Sequence, residues 1–188
     1  MNTCHYGAQF DVRQPVAYRA QTCYTLHYLH PDDVSDGRRT PCAEWAHARF
    51  DAREREYTYR IETRKNPFTR LLSWQYYVPL DLERMNRAAA MLTEFRDFTS
   101  FAKLNSNNRT NICRIYEAGW SAESGDVLRF RIRADRFLRH MVRAIVGTLV
   151  DAGRGRSTPE EIPAIIEGHA TPDPARSAPP QGPPTTVT

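Results

Sequence analysis

Lysine is nearly missing from this chain: of its 26 basic residues only Lys65 and Lys103 are lysines, and the other 24 are arginines. Cysteine is scarce too, and Cys4, Cys23, Cys42 and Cys113 form no C-x-x-C pair and have no His-x-x-x-His companion. That spacing argues against a zinc site and against a disulfide framework, and it leaves the thiols inert. No apolar run approaches the ~20 residues of a membrane helix. The N-terminus, Met1 to Phe10, lacks the basic head and apolar stretch of a signal peptide, so the cytoplasm is the expected compartment, with no membrane partner. There is no G-x-x-x-x-G-K, no G-x-G-x-x-G and no H-E-x-x-H, which removes the nucleotide-hydrolysing, dinucleotide-binding and zinc-protease readings. No internal repeat is visible.

What is present suits a folded body. The 188 residues are 40% hydrophobic and 11% aromatic, enough to bury a core, and their length fits one domain or one domain with a partial second. Positive charge is concentrated: between Arg129 and Arg156 eight arginines meet only Asp135 and Asp151. The guanidinium fork binds phosphate bidentately and stacks on bases, which suits nucleic acid. A GC-rich genome would give the same arginine bias, and a charge run also reads as an ordinary solvated face.

Periodicity predicts a mixture of helices and strands. A helix is expected from Gln14 to Leu29, ended by a loop beginning at Pro31, and a half-buried strand over Tyr57 to Ile61 with Tyr57, Tyr59 and Ile61 inward. Asp81 is placed to cap a helix from Leu82 to about Phe95. Strands are expected over Ile112 to Trp120 and Val127 to Arg133. In the second, Leu128, Phe130 and Ile132 face the core, and Arg129, Arg131 and Arg133 form a strongly cationic outer face. Apolar pairs recurring every four residues predict a largely buried helix from Arg136 to Val150, stopped by Gly153 and Gly155. Thr158, Pro159 and Glu161 match a capping box opening a short helix through Ile166. Six prolines between Thr171 and Thr188 predict an irregular tail. The fold class implied is α+β, or mixed α/β, with a sheet flanked by helices.

Three arginines, Arg136, Arg139 and Arg143, fall at i, i+3 and i+7 on one edge of the predicted apolar helix. Such a stripe could line an anionic cleft, and it reads equally as arginines whose stems cover apolar surface. Tyr57 by itself reads as a core tyrosine with a satisfied hydroxyl, and His47 and His140 read more readily as structural than catalytic.

Four blocks then stand in order: His47-Ala-Arg-Phe-Asp-Ala-Arg-Glu-Arg-Glu-Tyr57-Thr-Tyr59; Asn66-Pro-Phe; Asp97-Phe-Thr-Ser-Phe101; and Phe137-Leu-Arg-His-Met-Val-Arg143-Ala-Ile-Val-Gly147-Thr-Leu. Together they resemble the tRNA pseudouridine synthases of the TruA family, over Ala43 to about Gly168. More loosely, His5 to Asp11 and Leu29 to Val34 resemble the second half of that family's N-terminal domain. The resemblance implies a pseudouridine-synthase-like sheet flanked by helices. It divides the chain into 1–42 as a remnant of the N-terminal synthase domain, 43–170 as the C-terminal domain, and 171–188 as the proline-rich tail. It implies an isomerase that detaches uracil from the ribose, turns it and rejoins it through C5 in the tRNA anticodon stem-loop, with no cofactor and no metal, working as a homodimer.

On this resemblance Tyr57 is the uridine-binding tyrosine and Arg143 the active-site basic residue. Arg136, Arg139 and His140 extend the site as phosphate contacts. The family's nucleophile is an aspartate in a G-R-T-D-A-G-V-H-A segment that these 188 residues do not contain, and none of Asp11, Asp32, Asp33, Asp51, Asp97 or Asp135 matches it. Two expectations follow. The chain is a shortened synthase whose alternative reading is a catalytically dead product that at most binds structured RNA through its arginine face. Arg143, deprived of its carboxylate, would be a buried cation without compensation, so its site should open or hydrate.

Overall fold

The computed structural model describes residues 51–103, 109–168, 177–180 and 186–187. The helix and loop expected between Gln14 and Gly37, and His47, lie outside the described residues.

The central strand is β1, Arg55–Glu62. Its Tyr, Thr and Ile residues favour a pleated surface, and the predicted alternation holds, with Tyr59 and Ile61 buried and Arg60 turned outward. After a short strand β2, Trp74–Gln75, come β3, Ile115–Ser124, and β4, Val127–Ala134. Gly125 and Asp126 alone separate β3 from β4, and Gly125 takes a positive φ of 31° in that two-residue hairpin. β4 pairs antiparallel with β1 along its whole length, from Arg55 opposite Ala134 to Glu62 opposite Val127. The sheet order is β2-β1-β4-β3. β2 runs parallel to the end of β1, and β5, Thr186–Val187, pairs antiparallel with its beginning. The α+β class expected from the sequence is therefore observed.

Several boundaries differ from expectation. The middle strand begins at Ile115 rather than Ile112, because Ile112 is drawn into an isolated bridge with Asp97. Helix α1, Leu82–Met91, starts as predicted: the Asp81 carboxylate accepts the Arg84 N–H at 3.0 Å. It tightens into a 3-10 turn over Leu92–Glu94 before reaching Phe95. The Thr158 side chain makes no capping bond; a 3-10 turn, Pro159–Glu161, leads instead into α3, Ile162–Glu167. The tail, expected to be irregular, contributes the two-residue β5 beyond its last proline.

The largest correction concerns the apolar helix. α2 spans Met141–Gly153, so Arg136 and Arg139 precede it and do not share a helical edge with Arg143. The cause is local. The Asp135 carboxylate accepts the backbone N–H groups of Arg114 and Arg136, at 2.8 and 2.6 Å, which holds the chain in a turn after β4. Leu138 is buried in that irregular stretch, and His140, at φ 70°, sets the helix direction from the left-handed region.

α1 and α2 pack on the inward face of the sheet, where Ile61, Trp120, Phe130 and Ile132 meet Met85, Leu92, Met141, Ile145 and Leu149, all at most 5% exposed. Each such side chain contributes on the order of 1.5–3 kcal/mol by leaving water. Asn86 keys α1 to the free edge of β3 with two bonds: its amide donates to the Trp120 carbonyl at 3.1 Å and accepts the Trp120 N–H at 2.7 Å. No helix among the described residues is long and apolar enough to cross a membrane.

The end of α2 meets the start of α1 at close range. The Asp81 N–H donates to the Gly153 carbonyl at 3.0 Å, and a Cβ on Gly153 would stand 2.6 Å from Met85 Cγ and 2.7 Å from its Sδ. Gly153→Ala is therefore expected to destabilise the fold by about 1–3 kcal/mol, read by chemical denaturation. A change below about 0.5 kcal/mol would mean that Met85 moves aside freely and the two helices are not held this closely.

Candidate functional site

The inward face of β1 and the approach to α2 form one corner of the molecule. Tyr57 is half-buried there, its ring edge-on to Phe137 with centroids 4.9 Å apart and planes at 82°. Tyr59 lies two residues further along the same face, buried, and its hydroxyl donates to the Pro179 carbonyl at 2.8 Å. Burial raises the pKa of that hydroxyl, and the nearby Arg143 guanidinium acts in the opposite direction, so Tyr59 stays a protonated donor.

Arg143, in the first turn of α2, is half-buried. Its Nε donates to the Ala178 carbonyl at 2.6 Å, and the Ala178 N–H returns a bond to the Arg143 carbonyl at 3.0 Å. The premise of a buried, uncompensated cation is corrected: Arg143 is only half-buried, and a neutral carbonyl from the tail satisfies one of its guanidinium donors. The tail residues Ala178 and Pro179 were not singled out from the sequence as partners of Tyr59 and Arg143, because backbone carbonyls leave no mark on residue type.

His140 and Arg139 are exposed beside them, and Lys103 joins the group through its N–H, which donates to the Arg139 carbonyl at 3.1 Å. Desolvation, and then the positive charges of Arg143, Lys103 and Arg139, hold the His140 pKa below its usual 6.5. Lys103, too, was missed; its sequence neighbourhood offers no motif, and only the fold brings it here. Arg136 is half-buried, and its charge acts on the buried Cys113 thiol, whose pKa burial pushes up to about 11. The structure thus gathers Arg139, His140 and Arg143 at the start of α2, sets Tyr57 against Phe137 in the segment that leads into it, and places Arg136 close enough for its charge to act on Cys113.

The outer face of β4 is not the cationic surface expected from its arginines. Arg60, Arg129, Arg131 and Arg133 interleave with Glu54, Glu56, Glu117 and Glu123, with Arg131 to Glu56 at 2.7 Å and Arg60 to Glu123 at 2.9 Å. The Arg131 hydrogen bond lowers the Glu56 pKa against its partial burial. These carboxylates come from neighbouring strands, so reading β4 alone overstated its charge. Exposed pairs of this kind add little stability; their consequence is that this face carries no net charge to offer an anion. Among the described residues no cluster of three or more His, Cys, Asp or Glu side chains could hold a metal ion.

A family model described as tRNA pseudouridine synthase matches residues 88–186. The chain is 46% identical over 160 residues to tRNA pseudouridine synthase A of Parabacteroides distasonis, covering 85% of this chain and 63% of that protein. It is 50% identical over 144 residues to the protein of the same name from Bacteroides thetaiotaomicron, covering 76% and 54%. With that of Bacillus licheniformis it shares 33% over 182 residues, covering 96% and 71%. The chain spans less than two thirds of the length of the first two relatives.

The crowding of cations around His140 is open to direct test. Titrated by NMR, the ring is expected to protonate below its usual 6.5, and Arg143→Gln to move the midpoint upward by removing one of the charges that oppose protonation. An unmoved midpoint would show that the Arg143 guanidinium does not lie close to the ring.

Proposed function

This chain belongs to the tRNA pseudouridine synthase family, and from that premise we propose that it carries the Tyr57 and Arg143 part of a site isomerising uridine to pseudouridine in the anticodon stem-loop of tRNA. The observation that carries the reading is the grouping of Arg143, Arg139 and His140 at the start of α2, with Tyr57 packed on Phe137 just before it, within a chain matched to these synthases over most of its length.

A base inside a stem or stacked loop is out of reach, so the target uridine has to leave its stack and meet an aromatic partner while cations hold the flanking phosphates. Tyr57, braced by Phe137, is the proposed partner of the base. Arg139 and His140 are the proposed phosphate contacts, with Arg136 a more distant one. The start of α2 has no side-chain cap, and a helix N-terminus adds its own partial positive charge there. His140 holds a left-handed backbone at φ 70°, a strain that tends to persist where geometry serves a site.

The reaction balances without oxidant or metal. The bond from N1 to C1′ breaks, the uracil turns, a bond from C5 to C1′ forms, the C5 proton leaves and N1 gains one. It does need a carboxylate nucleophile, and the G-R-T-D-A-G-V-H-A aspartate implied by the resemblance is not among these residues. Turnover is therefore expected where a segment carrying that aspartate is supplied. The same proposal includes the division at 42/43 and 170/171, action in the cytoplasm, and a homodimer. The run of described elements from Arg55 to Glu167 supports the middle segment, and Phe68 and Leu71, 92% and 72% exposed, offer apolar surface to a second copy.

The test measures binding of unmodified tRNA and pseudouridine formation, with the chain alone and with the aspartate segment added. Binding is expected in both cases and isomerisation in the second. Tyr57→Ala should weaken stem-loop binding about tenfold, the worth of one stacked base, and Arg139→Ala should lower the salt-dependence slope by about 1. Isomerisation that survives Arg143→Ala, or the absence of salt-dependent tRNA binding, would overturn the reading.

A further inference from the structure

A second group of cations sits at the far end of α2. The chain turns there through Arg154, Gly155, Arg156 and Ser157, with Gly155 at φ 74°. The turn is fastened to the helix by the N–H groups of Arg154, Gly155 and Arg156, which donate to the Val150, Ala152 and Asp151 carbonyls at 2.9, 3.1 and 2.9 Å.

Arg84 reaches this turn from α1. One terminal nitrogen donates to the Ser157 carbonyl at 3.4 Å, and the other would lie 3.4 Å from a Cβ on Gly155. The Arg154 guanidinium stands 5.5 Å over the Tyr76 ring. Arg156, its side chain 61% exposed, approaches the largely buried Asp151 carboxylate at 3.9 Å. Three guanidinium groups thus meet two carboxylates, that of Asp151 and that of Asp81, which caps α1 beside Arg84. The C-terminus of α2 adds about half a negative charge, which still leaves the cluster slightly positive.

Hydrogen bonding points the same way. The Tyr76 hydroxyl, Arg84 Nε and the Ser157 hydroxyl are all buried and make no hydrogen bond among the described residues. Burial raises the Tyr76 pKa, while Arg154 and Arg156 lower it and Asp151 raises it, so these groups lie within reach of one another. Nε can only donate, and both hydroxyls can donate. An oxyanion is the partner that answers both an excess of positive charge and a set of unmet donors.

We propose that the 154–157 turn, with Arg84 and Tyr76, binds a backbone phosphate of RNA, at a second contact about 16 Å along the α2 axis from Arg143. The site is open on the outside, where Gly155 and Arg156 are exposed. Tyr77, next to Tyr76 and 59% exposed, offers a ring on which a neighbouring base can stack. Lys65 and Arg70, both exposed, lie in the loop that leads from β1 into β2, where Arg64 is paired with Asp126 at 3.6 Å. The contact rests on the tRNA reading above and deepens it: RNA held at both ends of α2 is fixed in direction as well as place.

The experiment combines two readouts on the full chain. In an NMR titration with inorganic phosphate, the Gly155 amide and Arg84 Nε signals are expected to shift in the wild type and not in Arg154→Ala/Arg156→Ala, whose remaining spectrum reports that it is folded. In tRNA binding across about 50 to 200 mM salt, the same double variant is expected to lower the slope of log K against log salt by about 1 to 2. An unchanged slope in this variant, when Arg139→Ala does lower it, overturns this contact and leaves the proposed function standing. Phosphate shifts at Gly155 with an unchanged slope make the turn a site for a free anion and overturn the RNA contact. Slopes unmoved by either variant overturn both.

Discussion

The molecule depends on the register between β1 and β4. Eight consecutive residue pairs set Tyr59 opposite Phe130 and Ile61 opposite Leu128, and a shift of one residue would turn Tyr57, Tyr59 and Ile61 outward and bring Arg60 into the core. Everything at the candidate site is referred to that ladder. Tyr57 gains its place by alternation with Tyr59; Tyr59 fixes the tail at Pro179; the tail at Ala178 fixes Arg143. β2 and β5 pair with opposite ends of β1, on the edge that β4 leaves open, so the strand bearing Tyr57 is held at both ends.

The same ladder sorts the arginines. Those pointing outward from β1 and β4 find glutamates across the same face, Arg131 on β1, Arg133 just before it and Arg60 beyond β4 on β3, and are neutralised there. Those in irregular segments, Arg139 before α2 and Arg154 and Arg156 after it, lie beyond the reach of strand carboxylates, Asp151 excepted. Location rather than number decides which arginines can meet an anion. Of the eight between Arg129 and Arg156, the ones with charge to spare stand at the two ends of a single buried helix.

Strand β1, the Asp81 cap, the core face of β4 and the stop at Gly153 were legible in the sequence, because each rests on a local rule of alternation, capping or backbone freedom. The start of α2 was not. The apolar pairs from Phe137 onward continue a helical period that the chain does not follow, since the Asp135 carboxylate and the left-handed His140 set a turn that periodicity cannot register. Tyr57 and Arg143 were singled out by likeness to known synthases, not by their surroundings, and their support from Phe137 and Ala178 comes from long-range contact. The short β5 was hidden by its prolines, which break the pattern of a strand without preventing two residues from pairing at an edge.

Arg143 shows how a guanidinium can be held in place by a neutral acceptor. A guanidinium has five N–H donors, and among the described residues one of them, on Nε, is taken by the Ala178 carbonyl. A neutral carbonyl is a weaker acceptor than a carboxylate by roughly twofold, yet a single such bond avoids the cost of an unmet buried donor and leaves the two terminal nitrogens uncommitted. The tail therefore orients Arg143 without neutralising it. Its charge remains at the start of α2, where, after desolvation, it is the largest of the effects that lower the His140 pKa.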